Sequence, residues 1–157
     1  MGALKAGDVA PNFALKEDGS DAEKDLASLR GQPVVLYFYP KDDTPGCTTE
    51  ARDFSCLMPE FEKAGVQVVG VSPDSIKSHG KFRAKHELTV RLASDEDTAI
   101  ANTYGVWVEK QMYGRSYMGV ERATFLIDRV GKIVQIWRSV RVPGHADEVL
   151  VAAKSVE

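Results

Sequence analysis

The run Val34–Tyr39 is apolar or aromatic at every position and stops at Pro40, the pattern of a strand buried on both faces. Val66–Ser72 reads as a second buried strand. Between them, Thr44–Lys63 places Phe54, Met58 and Phe61 on one face at helical spacing. The pattern then predicts a polar surface helix over Ser75–His86, a short extended piece at Arg91–Ala93 and a helix over Asp97–Tyr104. Farther on, Arg122–Ile127 and Lys132–Trp137 read as two strands around the turn Asp128–Gly131. Ala146–Val156 closes the chain as a helix whose apolar set is Val149, Leu150, Ala153 and Val156. Before the first long strand, Asn12–Lys16 reads as a short strand, Asp18-Gly19-Ser20 as a turn, and Asp25–Leu29 as a helical turn. Alternating strands and helices followed by a hairpin and a helix predict an α/β fold with a mixed central β-sheet flanked by helices. No repeat or linker-like tract interrupts the pattern, so residues 1–157 are expected to form a single domain.

Composition adds exclusions. The chain has 157 residues, 43% of them hydrophobic and 27% charged, which excludes a disordered chain. Twenty basic against 23 acidic residues leave a net charge of -3, with no basic excess for nucleic acid. No apolar run approaches membrane-spanning length, and the opening MGALKAGDVAP lacks a signal core. A soluble, cytoplasmic protein with no membrane or nucleic-acid partner is expected. Two cysteines nine residues apart, Cys47 and Cys56, complete neither a disulfide framework nor a four-cysteine zinc site.

One segment carries chemistry: Tyr39-Pro40-Lys41-Asp42-Asp43-Thr44-Pro45-Gly46-Cys47-Thr48-Thr49-Glu50. It joins a buried strand to a helix at the carboxyl end of that strand, where open α/β sheets hold ligands. Thr44 suits the N-cap and Pro45 the first helical position, which puts Cys47 third in the helix, among free backbone N–H groups. The anion favoured there is a thiolate, the nucleophilic form of cysteine. Moving a cysteine's ionisation into the neutral range takes about 3–4 kcal/mol. A helix N-terminus supplies only about 0.3–1 kcal/mol, or about 2 when partly buried. A further positive charge is therefore required, and an arginine is the natural source. On this reading alone Cys47 is either that nucleophile or a small buried residue.

The segment resembles the Pro-x-x-x-Thr-x-x-Cys signature of the peroxiredoxins through Pro40, Thr44 and Cys47, without a gap. Tyr-Phe-Tyr-Pro-Lys-Asp before it and Gly-Cys-Thr-Thr-Glu after it are similar to the bacterioferritin-comigratory, or peroxiredoxin Q, branch. Gly7, Asp8, Ala10, Pro11 and Phe13, then Val69–Asp74, Met112-Tyr113-Gly114 and Arg122–Asp128, resemble further blocks of that family. The resemblance implies a thioredoxin-like fold and a thiol-dependent peroxidase acting on hydrogen peroxide or alkyl hydroperoxides, with no cofactor and no metal. It makes Cys47 the peroxidatic cysteine, which becomes a sulfenic acid. Thr44 then aims its hydroxyl at the sulfur and the peroxide, and Pro40 shields the pocket. Arg122 supplies the missing charge, with Glu50 orienting it. Thioredoxin, or glutaredoxin with glutathione, is the implied reductant, and a monomer the implied state.

The chain departs from the branch at the resolving cysteine. The seat five residues after Cys47 holds Arg52, and a second seat, in a Phe-Cys-Ala-Lys context, matches Phe82-Arg83-Ala84-Lys85. Cys56 is the one other thiol. An intact helix sets it about 13 Å along from Cys47 and on the opposite side, too far for a disulfide. Pro59 removes the N–H that would bind the Ser55 carbonyl, so helix opening near Cys56 is one route to a Cys47–Cys56 pair. The other is a one-cysteine cycle with an external thiol. Two rival functions remain. A thiol-disulfide oxidoreductase needs a Cys-x-x-Cys pair, which Cys47-Thr48-Thr49-Glu50 lacks. A non-catalytic binding or holdase domain would not need Cys47 at all.

The remaining candidates take ordinary roles. His79, His86 and His145 lack ligand spacing and read as solvated or capping residues. Tyr39, Tyr113 and Trp137 read as core aromatics beside strands, and Asp95-Glu96-Asp97 as a solvated charge cluster before a helix.

Overall fold

The computed structural model describes residues 4–19 and 24–156. The apolar run forms β3 (Val34–Phe38), the middle of a five-stranded sheet in the order β5-β4-β3-β8-β9. β4 (Gln67–Ser72) and β5 (Arg91–Ser94) run parallel to it, β8 (Ala123–Ile127) runs antiparallel to it, and β9 (Ile133–Trp137) pairs antiparallel with β8 at the edge. The sheet is mixed and flanked by helices, the α/β arrangement that the pattern predicts and the thioredoxin-like one that the resemblance implies.

Burial on both faces explains why β3 is apolar throughout. Val35, Tyr37 and Tyr39 enter one core with Phe54 and Phe61 of α1 (Pro45–Lys63), Phe82 of α2 (Ile76–His86) and Val149 and Leu150 of α4 (His145–Lys154). Val34, Leu36 and Phe38 enter the other, with Leu26, Tyr104 and Phe125, beneath α3 (Ala99–Thr103). Close-packed aromatics continue the first core, with Tyr37 stacked between Tyr39 at 5.6 Å and Phe54 at 4.6 Å.

Several elements differ from the sequence expectation. The N-terminal strand shrinks to β1 (Ala14–Leu15), paired with an unexpected β2 (Lys24–Asp25); a 3-10 turn at Leu26–Leu29 follows. Asp18 and Gly19 do turn, while Ser20 lies outside the described residues. A whole hairpin was not expected, β6 (Trp107–Met112) with β7 (Arg115–Val120). Its tip residues Tyr113 and Gly114 both have positive φ, and Tyr113 is 98% exposed rather than core. Asp95 is not solvated either: its buried carboxylate accepts the N–H groups of Ile100 and Ala101 at 3.0 and 2.9 Å, capping α3. The turn before β9 is as expected, with Gly131 at φ 89°.

Gly70 of β4 pairs directly with Tyr37, and a Cβ there would lie 2.6 Å from the Tyr37 ring. Gly70→Ala must therefore displace the ring that packs under the start of α1. The substitution is expected to cost about 1–3 kcal/mol in urea unfolding; a stability equal to wild type would show that the ring is not so confined.

Candidate active site

The chain leaves β3 at Phe38 and turns through Pro40–Thr44 into α1. Asp43 takes a left-handed conformation at φ 58°, which aspartate tolerates better than most residues. Thr44 occupies the N-cap and Pro45 the first helical position, so Cys47 lies in the first turn, 1% exposed. Thr44 caps by position only. Its hydroxyl donates to the Lys41 carbonyl at 2.9 Å instead of receiving a backbone N–H, and its own carbonyl accepts the Thr48 N–H at 2.8 Å. No hydrogen bond joins that hydroxyl to the sulfur. Pro40, half-buried, stands at the end of β3.

Strand register brings the arginine. Ala123 of β8 pairs with Phe38, which carries the preceding Arg122 to the carboxyl end of β3. The Arg122 carbonyl is held by the Val140 N–H at 3.0 Å. Nη2 of Arg122 donates to Cys47 Sγ at 3.3 Å, and Nη1 donates to Glu50 Oε1 at 2.6 Å. One guanidinium thus spans the sulfur and a carboxylate one helical turn away. Gly46 makes the approach possible, because a Cβ there would meet Nη2 at 3.2 Å.

Glu50 is 1% exposed, and its second oxygen, Oε2, has no hydrogen-bond partner among the described residues. Burial pushes its carboxyl up to about 7, against the pull of Arg122. Burial works to lower the Arg122 guanidinium, but Glu50 and then Cys47 outweigh it and hold it above the ordinary arginine range. Lys110 of the unexpected hairpin is a further nearby cation. Burial and then Arg122 push its ammonium down, while Cys47 pulls it up.

The structure brings Cys47, Glu50 and Arg122 into contact, as the sequence suggests, with Thr44 and Pro40 on the turn that leads in. Cys56 is exposed, on an α1 that runs unbroken through Pro59. The Ser55 carbonyl left without its helical N–H partner accepts the Thr89 hydroxyl at 3.2 Å, so that section of α1 is tied rather than loosened. Arg83, at the second resolving seat, is bound bidentately to Asp18 at 2.6 and 3.0 Å.

The histidines depart from expectation. His79 is fully buried, and His145, the first residue of α4, is 4% exposed and bonded to the Thr124 hydroxyl at 2.8 Å. Polar partners inside the fold make that burial tolerable. His86 contacts Asp43 at 2.8 Å. Among the described residues no three His, Cys, Asp or Glu side chains are grouped as metal ligands. Sequence reasoning missed Gly46, whose position within the motif was the one available signal.

Comparison with known proteins shows the family. The AhpC/TSA family matches residues 6–136. Peroxiredoxin Bcp of Xanthomonas campestris is 54% identical over 130 residues, 83% of this chain and 81% of that one. A solved structure of the Xanthomonas campestris bacterioferritin comigratory protein, from work on its alkyl peroxide reduction activity, superposes with a TM-score of 0.86. It is 48% identical and covers 91% of this chain and 90% of its own. A cysteine-to-serine mutant of Xylella fastidiosa PrxQ superposes at 0.91, with 44% identity over 99% of this chain and 98% of that one.

Because the folded protein holds the Glu50 proton more tightly than an unfolded carboxyl does, ionising Glu50 costs stability as pH rises from about 4.5 through about 7. Glu50→Gln mimics the protonated form. Wild type and Glu50→Gln are expected to be similarly stable to urea at pH 5, with the glutamine variant relatively more stable at pH 8. A relative gain by wild type at pH 8 would mean that the ion pair outweighs burial.

Proposed function

The chain belongs to the AhpC/TSA family, in the Bcp or PrxQ branch of the peroxiredoxins, and from that premise we propose that Cys47 is the nucleophile with which it reduces hydrogen peroxide and organic hydroperoxides. The observation that carries this assignment is the 3.3 Å contact between Cys47 Sγ and Arg122. The chain is a thiol-dependent peroxidase. The Cys47 thiolate attacks one oxygen of the peroxide, the O–O bond breaks, and the departing oxygen leaves with a proton as water or an alcohol. The sulfur is oxidised to the sulfenic acid and the peroxide is reduced.

Negative charge moves from sulfur to the departing oxygen during the attack. A guanidinium already fixed by Glu50 can follow that charge without reorganising, so its stabilisation is larger in the transition state than in the ground state. Thr44 and Pro40, on the turn before the helix, are the residues we assign to orienting the peroxide and limiting water.

Reduction of the sulfenic acid needs two electrons from thiols. We assign this to an external reductant, thioredoxin or glutaredoxin with glutathione. Its thiol attacks the Cys47 sulfur, water leaves, and a second thiol releases Cys47. The unbroken α1, the exposed Cys56 and the tied Ser55 carbonyl favour this one-cysteine cycle over a Cys47–Cys56 disulfide. A monomer in the cytoplasm completes the reading, consistent with two free thiols in a reducing compartment.

Wild type is expected to consume hydrogen peroxide and Cys47→Ser to have lost that activity. Intact-mass measurement after one equivalent of peroxide should show a gain of one oxygen, or a mixed disulfide when a small thiol is present. Loss of two hydrogens would instead identify Cys56 as the resolver. Unimpaired turnover by Cys47→Ser would overturn the assignment altogether.

A further inference from the structure

The turn that delivers Cys47 is tied to α2 at two consecutive residues. Asp43 binds Lys85 at 2.7 Å and His86 at 2.8 Å on the surface. Asp42 is bound in the interior, where its Oδ2 lies 2.8 Å from Nδ1 of His79. The side chains of His79 and Asp42 are 0% and 3% exposed. We propose that His79 is a positioning residue for peroxide reduction: its link to Asp42 fixes the Pro40–Thr44 turn, and with it the start of α1, so that the Cys47 sulfur meets Arg122. This inference rests on the reading of Cys47 as the reacting nucleophile.

Both nitrogens of His79 are committed. Nε2 lies 3.0 Å from the Ala93 carbonyl of β5, which can only accept, so Nε2 carries a hydrogen. Nδ1 and Asp42 Oδ2 then share one further proton, and the pair is neutral overall wherever that proton sits. That neutrality is what lets the pair be buried. Asp42 is saturated on its other sides. Tyr39 donates to Oδ1 at 2.6 Å, Ser78 donates to Oδ2 at 2.8 Å, and the Asp42 N–H donates to Asp74 Oδ2 at 2.7 Å. The carboxylate of Asp42 therefore gathers β3, α2 and, through His79, β5 onto one residue of the turn. A purely apolar filler could occupy the same space but could not hold both ends.

Asp42 stands five residues before Cys47. The backbone of Arg122, in contrast, is positioned by β8 and by the Val140 N–H, independently of that turn. If the turn and the start of α1 drift, the sulfur leaves the position that the Arg122 backbone sets, and the Glu50 ion pair can draw the guanidinium after it only as far as that fixed backbone allows. Displacement of reacting groups by about 1 Å is enough to cost on the order of a hundredfold in rate. His79 thus acts on the reaction through Asp42 and touches no reacting atom.

The two ends of the histidine can be separated by substitution. Asparagine places an amide near the Nδ1 position and can keep the bond to Asp42, whereas glutamine reaches toward the Nε2 position and keeps only the bond to Ala93. Both variants lose the ring, so thermal melting should report comparable destabilisation. The bimolecular rate of Cys47 oxidation by hydrogen peroxide, followed by stopped flow well below the melting temperature, is expected to differ. His79→Gln should fall by about tenfold or more, and His79→Asn should recover most of that loss. Asp42→Ser, which removes the link from the side of the turn, should match His79→Gln and serves if the glutamine variant fails to fold. Equal rates for His79→Asn and His79→Gln, or an Asp42→Ser rate equal to wild type, would overturn the positioning role. Failure of wild type itself to react would overturn the Cys47 reading on which it rests.

Discussion

A single guanidinium divided between a sulfur and a buried carboxylate organises the molecule. Arg122 gives one nitrogen to Cys47 and another to Glu50, so one cation serves both side chains. Glu50 accepts from the guanidinium inside the protein and fixes its direction. A carboxylate that is 1% exposed is itself expensive, which is why its proton is held up to about 7. What remains is a cation held beside the sulfur without needing solvent. The helix N-terminus adds its share, but at about 0.3–1 kcal/mol, or about 2 when partly buried, it is the smaller contribution.

The rest of the fold sets these three side chains against each other. The β3–β8 register places Arg122, the N-terminal turn of α1 places Cys47 and Glu50, and Gly46 leaves room between them. The aromatic stack of Tyr39, Tyr37 and Phe54 runs from β3 to α1, and Gly70 allows it to lie flat against β4. Behind the turn, the polar cluster around Asp42 and His79 performs from α2 what the strands perform for Arg122. Two independently fixed elements therefore meet at the sulfur. Chemistry that depends on one 3.3 Å contact requires both.

Much of this was legible in the residues, for specific reasons. The run Val34–Tyr39 announces a two-faced strand because each face of the sheet has its own core. Thr44-Pro45 marks the helix start because proline fits that position, and from there the place of Cys47 follows by counting. Pairing of Glu50 with Arg122 came from family resemblance, since no local pattern links residues 72 apart. The hairpin of β6 and β7 escaped notice because it is largely solvent-exposed and has no buried face to impose alternation. His79 and Asp95 were misjudged for the converse reason. A polar residue inside the fold depends on partners distant in sequence, such as Asp42 and the Ala93 carbonyl for His79, and periodicity carries no record of them.

The most direct test is the ultraviolet thiolate absorbance of Cys47 at pH 7, read in a Cys56→Ser background so that one sulfur reports. The absorbance should be present with Arg122 intact and lost in Arg122→Met. An undiminished thiolate signal in the methionine variant would show that the guanidinium is not what holds the charge on this sulfur.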